Sequence, residues 1–443
     1  MAVQYCPLVS TESPVGVLLH SRGYLRLLLG AALLGIPLSV IAFGFLAAVH
    51  ELEHVVWHTL PHELGFEHAP AWWAIPALGL AGVLVALAVQ RLPGHGGHVP
   101  ADGLGGGPTP PSHVPGIVLA AGASLALGAV VGPEAPLIAL GGGLALLAVR
   151  RTPLTGDAQT SAVLAASGSA AAISAIFGNP LIAAVLLVEV LGLARRQTML
   201  VVLPCLVSSG IGALVFTGLG SWTGLGIGAL SIPDLASTRL HVAEVAWAVP
   251  VAAAVGVLTW LVFLLGRRTA ALAKERVFAV TVGAGLLAGC SATAYALVTD
   301  HSSAEVALSG QATLSVLATD PGAWSTGALL ALLLCKGLAY GLSIGVFRGG
   351  PVFPAIFLGA VIGVVASTWL PGLGLVPALA IGMAAGVAVT GLPVTSVVLV
   401  VLLLGDAATS QMPVVILATV AALVLEELLR SRSAQAPATD HVG

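Results

Sequence analysis

The composition of this 443-residue chain excludes an ordinary soluble protein. Hydrophobic residues make up 58% of the chain and charged residues only 8%, with a mean hydropathy of +1.04. A soluble domain is about a quarter charged, so this chain cannot cover a globular surface with charged side chains. The net charge of −3 says little about partners, because such a chain has hardly any aqueous surface to carry an electric field, and nothing indicates nucleic-acid binding. Most of the chain is therefore expected to lie in a lipid bilayer.

Apolar segments follow one another from residue 25 to residue 429 and predict an all-helical, multi-pass membrane protein. A spanning helix needs about 20 apolar residues, a length that 25–49 and 72–90 approach or exceed. The further segments are 114–131, 136–149, 160–177, 179–194, 198–219, 243–265, 277–298, 323–343, 354–370, 375–390, 393–405 and 413–429. Several are too short to cross and are broken by Gly or Pro, which is tolerated only where protein or a watery cavity satisfies the backbone. Such helices indicate a transport pathway rather than a passive anchor.

Basic residues predict the orientation of the chain. Arg22 and Arg26 precede the first span and Arg91 follows the second, whereas segments 50–71 and 299–322 contain neither Lys nor Arg. By the positive-inside rule, both termini face the cytoplasm and these two segments face outward. We expect a location in the cell membrane, with a short polar tail over 431–443 and no soluble C-terminal domain.

Two pairs of similar motifs predict an internal repeat. The pattern G-P-x-x-P-x-x-x-L-G occurs at 132–141 and again at 350–359, 218 residues later. A second pair, Gly-Asn-Pro at 178–180 and Gly-Leu-Pro at 391–393, keeps nearly the same offset. Two ordered matches predict a duplicated fold, about 25–219 and 243–429, within one membrane domain over 1–443. These motifs alone leave open whether the halves are parallel or inverted.

Each copy of the first motif predicts the start of a helix near its second proline. Proline suits the first helical turn, which places helix starts near Pro136 and Pro354. A helix N-terminus has unpaired N–H groups and a partial positive charge, so two converging starts could hold a dehydrated anion without a fixed Lys or Arg. Gly132 and Gly350 would let the backbone approach the ion. The alternative is that both motifs are only kinks or packing contacts.

Glu134 is the most informative single residue. It is an acidic residue in an apolar stretch, directly ahead of a predicted helix start. An ionisable residue inside a membrane segment indicates a functional role. Its carboxylate could occupy the anion site in place of the permeant ion and leave when it is protonated or swings aside. The alternative role is a cap on the following helix.

These motifs resemble those of the CLC chloride channel and transporter family. Residues 132–136 resemble its G-K/R-E-G-P motif, 350–354 its G-x-F-x-P motif, 96–100 its G-S-G-I-P motif, and 177–181 its F-N-A-P-L segment. The resemblance implies an inverted repeat with many short, tilted and broken helices. It also implies a homodimer with one pore per subunit that transports chloride or a related monovalent anion, without enzymatic activity, cofactor or metal. It makes Glu134 the gate, and the implied anion-binding residues are Gly96, Gly97, His98, Gly132, Ala135, Gly350, Val352 and Phe353.

The chain departs from the family pattern at the predicted anion site. Gly97 stands where the family has a serine hydroxyl, and Pro133 and Pro351 replace residues with backbone N–H donors. The family's pore tyrosine has no counterpart in the tail after Leu429. We therefore expect a site with fewer hydroxyl donors. His98 could supply an N–H instead, although an ordinary loop histidine is an equal alternative.

Val190 favours passive conduction. In the family's proton-coupled exchangers this position is usually a glutamate that relays protons, whereas channels commonly have valine. Glu189, one position earlier, matches a glutamate of both types and is expected to be structural. The resemblance thus implies passive or weakly coupled chloride conduction, with a proton–chloride antiporter or a carrier of another halide such as fluoride as alternatives.

One motif points to a different class of protein. His50, Glu51 and His54 spell H-E-x-x-H, the zinc-peptidase signature in which two histidines on one helical face bind the metal. Asp406 and His62 are conceivable further ligands. The segment is rich in histidine and lies at the predicted outer end of a span, so its other interpretation is a hydrated external helix. A zinc intramembrane peptidase is the remote alternative, and no metal site is expected.

Overall fold

The structure is a computed structural model that describes residues 21–435 except 106, 151–157, 193–194, 225–231, 233–234 and 236–237. Most of the predicted polar tail, 436–443, lies outside the described residues. The helices of the described part are α1 Arg22–His54, α2 Leu60–Glu63, α3 Ala74–Arg91, α4 Val114–Ala126, α5 Glu134–Val149, α6 Ala158–Phe177, α7 Pro180–Leu191, α8 Arg195–Thr223, α9 Val242–Glu275, α10 Val277–Thr299, α11 Gln311–Thr319, α12 Thr326–Val346, α13 Val352–Trp369, α14 Leu375–Ala388, α15 Pro393–Leu404 and α16 Ala408–Gln435. Every apolar segment predicted from the sequence overlaps one of these helices.

The architecture is that of a multi-pass membrane protein. Within the described ranges, nine helical stretches are long and apolar enough to cross a bilayer, while α5, α7 and α14 are apolar but shorter. Leucines on the outer faces of the long helices are exposed, for example Leu29 and Leu33 on α1. In contrast, the short helix α5 buries most of its side chains. Helix α5 therefore lies inside the protein, where broken backbone at membrane depth can find partners.

Glycines bring the backbones of neighbouring helices into contact. Gly141 on α5 packs against Gly168 on α6, and Gly359 on α13 packs against Gly382 on α14, with no room for a Cβ atom at any of the four positions. Small residues allow this close approach in membranes, where helix association depends on packing and interhelical hydrogen bonds. Gly359 lies 218 residues after Gly141, the offset of the repeated motif, so the two contacts are counterparts in the two halves.

Segments 50–71 and 299–322 both contain helices, of which only the first was indicated by the sequence. Helix α1 extends to His54, continues through a wide turn over Val55–Thr59 and leads into α2. The carbonyl of Val56 accepts a hydrogen bond of 2.9 Å from Trp73 Nε1, which gives it a partner outside the helix. Segment 299–322 contains α11, which the apolar pattern did not predict.

Candidate functional site

The two copies of the repeated motif meet at the centre of the molecule. Gly132 and Gly350 pair as a short antiparallel bridge, in which each N–H donates to the other carbonyl at 2.7 and 2.5 Å. This reciprocal pair is itself two-fold symmetric, as expected where two inverted halves meet. Helices α5 and α13 begin two residues later, so Pro136 and Pro354 lie in the first turns, as predicted. The motifs therefore join the two halves of the protein.

Glu134 is the first residue of α5, and its side chain reaches the start of α13. Its side chain is fully buried, and its Oε1 accepts a hydrogen bond of 2.9 Å from the backbone N–H of Phe353 in the first turn of α13. Its Oε2 is buried without a hydrogen-bond partner. A carboxylate of the first half thus occupies the N-terminus of a helix of the second half, where the helix dipole favours negative charge.

The predicted anion-site glycines accommodate this carboxylate. A Cβ atom at Gly132 or Gly350 would overlap the carboxyl group of Glu134. The sequence explained these two glycines by close approach of backbone to the ion, whereas here the group that they approach is Glu134. Val352 and Phe353 are both buried, and the Phe353 ring stacks on Phe177 with 5.5 Å between ring centroids.

The remaining predicted anion-site residues line a separate cavity. Gly96, Gly97, His98 and Ala135 surround a space of about 320 Å³, together with Arg348 and Gly349. We call this space the Arg348 cavity. Gly132, Gly350, Val352, Phe353 and Glu134 are not among its lining residues. The predicted anion-binding residues therefore form two groups. One surrounds the Glu134 carboxylate, the other lines the Arg348 cavity, and the first turn of α5 contributes to both.

Two residues beside the site were not predicted. Tyr340 is fully buried in α12, and its hydroxyl donates to the carbonyl of Pro351 at 2.5 Å. Arg348 is 8% exposed, although the sequence suggested an anion site without a fixed Lys or Arg. The sequence features that could have indicated these two residues are a tyrosine within an apolar span and an arginine just before the second motif.

Glu189 and Val190 occupy different environments at the end of α7. Glu189 accepts hydrogen bonds from the N–H groups of Val394 and Thr395, at 2.7 and 2.8 Å, and so binds the start of α15. Val190 lines a mainly apolar cavity of about 450 Å³ with Ile138 and Leu187. This agrees with a structural role for Glu189, and it places no carboxylate at position 190.

The H-E-x-x-H segment lies on an exposed part of α1. His50, Glu51 and His54 are exposed on α1, and the imidazole of His54 stacks on that of His58 with 5.2 Å between centroids. Across the described part of the chain, no group of three His, Cys, Asp or Glu side chains is arranged to hold a metal ion. The segment is thus an exposed helix, and the zinc-peptidase alternative has no geometric support among the described residues.

Comparisons with known proteins agree with this architecture. The family model for the voltage gated chloride channel matches residues 103–426. A protein from Escherichia coli O1:K1 / APEC, named "Putative ion-transport protein YfeO", is 28% identical over 361 residues, covering 80% of this chain and 83% of the relative. Relatives of the same name occur in other Escherichia coli strains and in Escherichia fergusonii.

Three solved structures share the fold. A slow cyanobacterial Cl⁻/H⁺ antiporter matches with a TM-score of 0.75 and 17% identity over 91% of this chain and 95% of that one. A CLC-type fluoride/proton antiporter matches with 0.68 and 15% identity over 94% and 97%. A eukaryotic CLC transporter matches with 0.68 and 18% identity over 92% and 73%. With the family model covering most of its length, this chain belongs to the voltage-gated chloride channel (CLC) family of membrane transport proteins.

Proposed function

We propose that this protein conducts chloride across the cell membrane through a pore gated by Glu134. The observation that carries the proposal is the hydrogen bond between Glu134 Oε1 and the N–H of Phe353 at the start of α13. A carboxylate that fits this position has the charge and hydrogen-bonding needs of a halide ion, so the two compete for the same donors. The anion passes when Glu134 is protonated or displaced.

We propose further that conduction is passive or only weakly coupled to protons. Support comes from Val190, which lines an apolar cavity and cannot accept a proton. The alternative is coupled exchange, because two structures with the same fold are described as a Cl⁻/H⁺ antiporter and a fluoride/proton antiporter. Fluoride is the second candidate ion for this reason.

Chloride efflux and proton uptake, recorded simultaneously from vesicles containing the purified protein, test both parts of the proposal. We expect chloride efflux with no fixed ratio of proton counterflow, and no efflux from protein-free vesicles. A fixed proton-to-chloride ratio would show that the protein is an antiporter and refute passive conduction. If chloride does not move but fluoride efflux is observed, the transported ion is fluoride and the proposed substrate is wrong.

The same proposal includes a homodimer with its termini on the cytoplasmic side. The dimer rests on the family resemblance, and the orientation on Arg22, Arg26 and Arg91 at one end of α1 and α3. Labelling of single cysteines introduced at position 67 and at position 91 would test the orientation. We expect only the former to react with an impermeant reagent added outside intact cells.

A further inference from the structure

The Arg348 cavity has a positive charge in its wall that no acidic side chain balances. Within the described residues, no Asp or Glu oxygen lies within 4.0 Å of the Arg348 guanidinium. The group is always protonated, and it is 8% exposed. Burying a charge without a counter-ion is costly, so a structure that retains one needs a compensating group.

Backbone carbonyls compensate this charge only in part. Nη1 donates to Val346 O at 2.9 Å and to Phe347 O at 3.4 Å. Nε and Nη2 both donate to His95 O at 3.4 Å. A guanidinium has five N–H groups, so one N–H of Nη2 has no acceptor among the described residues. These acceptors are neutral dipoles, and they leave a net positive charge at the cavity wall.

The loop before the cavity is shaped to hold Arg348. His95 has a φ of 50°, and its neighbours Gly94, Gly96 and Gly97 also have positive φ values. A positive φ is strained for a non-glycine residue, and here it directs the His95 carbonyl to the guanidinium. A Cβ atom added to Gly96 would lie 3.5 Å from Arg348 Cγ, so the loop packs along the side-chain stem. The position of the guanidinium is therefore fixed by the fold.

The other features of the cavity also favour an anion. Ala135 and Pro136, in the first turn of α5, line the same space, and a helix N-terminus carries partial positive charge. Gly97 stands where the family pattern has a hydroxyl donor, so no serine at this position can hold an ion. His98 lines the cavity but is exposed. The cavity therefore combines a fixed cation and a helix start, and it lacks the hydroxyl donor of the family pattern.

We propose that the Arg348 guanidinium is the main determinant of anion affinity in the Arg348 cavity, in place of the serine hydroxyl that Gly97 lacks. The site lies beside Glu134 but does not depend on the Glu134 carboxylate leaving the α13 start. The identity of the anion as chloride rests on the proposed function. The role of Arg348 rests on the cavity and on the unbalanced charge.

The test compares Arg348→Met and Arg348→Lys with Arg91→Gln, which removes an exposed arginine at the end of α3 outside the cavity. Chloride binding to the purified proteins is measured by calorimetric titration, and the chloride dependence of flux is measured in vesicles. A charge-assisted hydrogen bond contributes enough for R348M to weaken binding about ten-fold or more. R348K keeps the charge and should fall between R348M and the unmodified protein. R91Q should bind as the unmodified protein does.

A folded R348M protein with unchanged chloride affinity would overturn the proposal. If R348M does not fold, crystals of the unmodified protein soaked in bromide decide the matter. An anomalous peak in contact with Arg348 supports the site, and its absence at bromide concentrations that saturate transport overturns it. Repeating the titrations with fluoride and nitrate separates the two proposals. Arg348-dependent binding of another anion, without chloride transport, would refute the proposed substrate and leave the site standing.

Discussion

Replacing Glu134 by glutamine should convert a pH-dependent conductance into a constant one. In the folded protein one carboxylate oxygen is held by a single backbone N–H, that of Phe353 at 2.9 Å. A charge-assisted hydrogen bond of this kind contributes about 1.5–3 kcal/mol. An entering anion must displace it, so removing the negative charge should raise the apparent anion affinity of this position by about one to two orders of magnitude.

The sign of the pH effect follows from the same competition. A protonated Glu134 no longer competes for the N–H donors, so chloride flux through the unmodified protein should rise as the external pH falls. Glu134→Gln has no carboxylate to protonate, and its flux should stay near the low-pH maximum throughout the series. The measurement is chloride efflux from vesicles over a series of external pH values.

The matched control is Glu189→Gln, because Glu189 also binds backbone N–H groups at the start of a second-half helix. This control should keep the pH dependence of the unmodified protein. If E134Q retains that dependence while the protein remains folded, Glu134 is not the gate, and its contact with Phe353 is a structural cap.

Three further substitutions test the packing around this site by thermal unfolding in detergent. Glu189→Gln removes the negative charge that binds the start of α15 and should cost about 1 kcal/mol, whereas an unchanged Tm would show that these bonds contribute nothing. Gly350→Ala places a methyl group where the Glu134 carboxylate lies and should lower the free energy of unfolding by about 1–3 kcal/mol. Adding Glu134→Ala should restore most of this stability, and a loss that persists in the double variant would show that the clash lies elsewhere. Lys336→Met leaves the carbonyls of residues 305–308 without the ammonium that binds all four at 2.9–3.2 Å, and should cost at least about 3 kcal/mol. Lys274→Met, at an exposed position, is the control for Lys336 and should leave the Tm unchanged.

The helices could be predicted because this chain marks their ends with proline and glycine. Helix α7 begins at Pro180 and α15 at Pro393, where the missing N–H costs nothing, and each begins close to the predicted position. Helix α11 was missed because its nine residues include Gln, Ser and two Thr, which gives no long apolar run. The apolar span was predicted to end at residue 49 because His and Glu side chains interrupt the apolar pattern there, although the histidine-rich segment was also interpreted as a hydrated helix.

The site could be predicted only where its two parts carry the same motif. The repeat predicted two helix starts, one from each half, that could converge, and the pairing of Gly132 with Gly350 brings these two starts together. Arg348 could not be predicted in the same way, because the carbonyl of His95 that holds it lies 253 residues away and belongs to no repeated motif. Tyr340 has the same limitation, since its hydrogen bond to Pro351 depends on how α12 turns back to α13.

The contrast between Glu134 and Glu189 explains how one kind of contact can serve two purposes. Each carboxylate comes from a short helix of the first half and binds the start of a helix of the second half. Glu189 uses both oxygens, with bonds of 2.7 and 2.8 Å, and it is partly exposed to solvent. Glu134 uses one oxygen and is fully buried, with its second oxygen unpartnered. Breaking the Glu189 contact releases two charge-assisted bonds, whereas Glu134 loses one and escapes the cost of an unsatisfied buried oxygen. The less satisfied carboxylate is therefore the one suited to move, and it is the one placed where an anion can take over its donor.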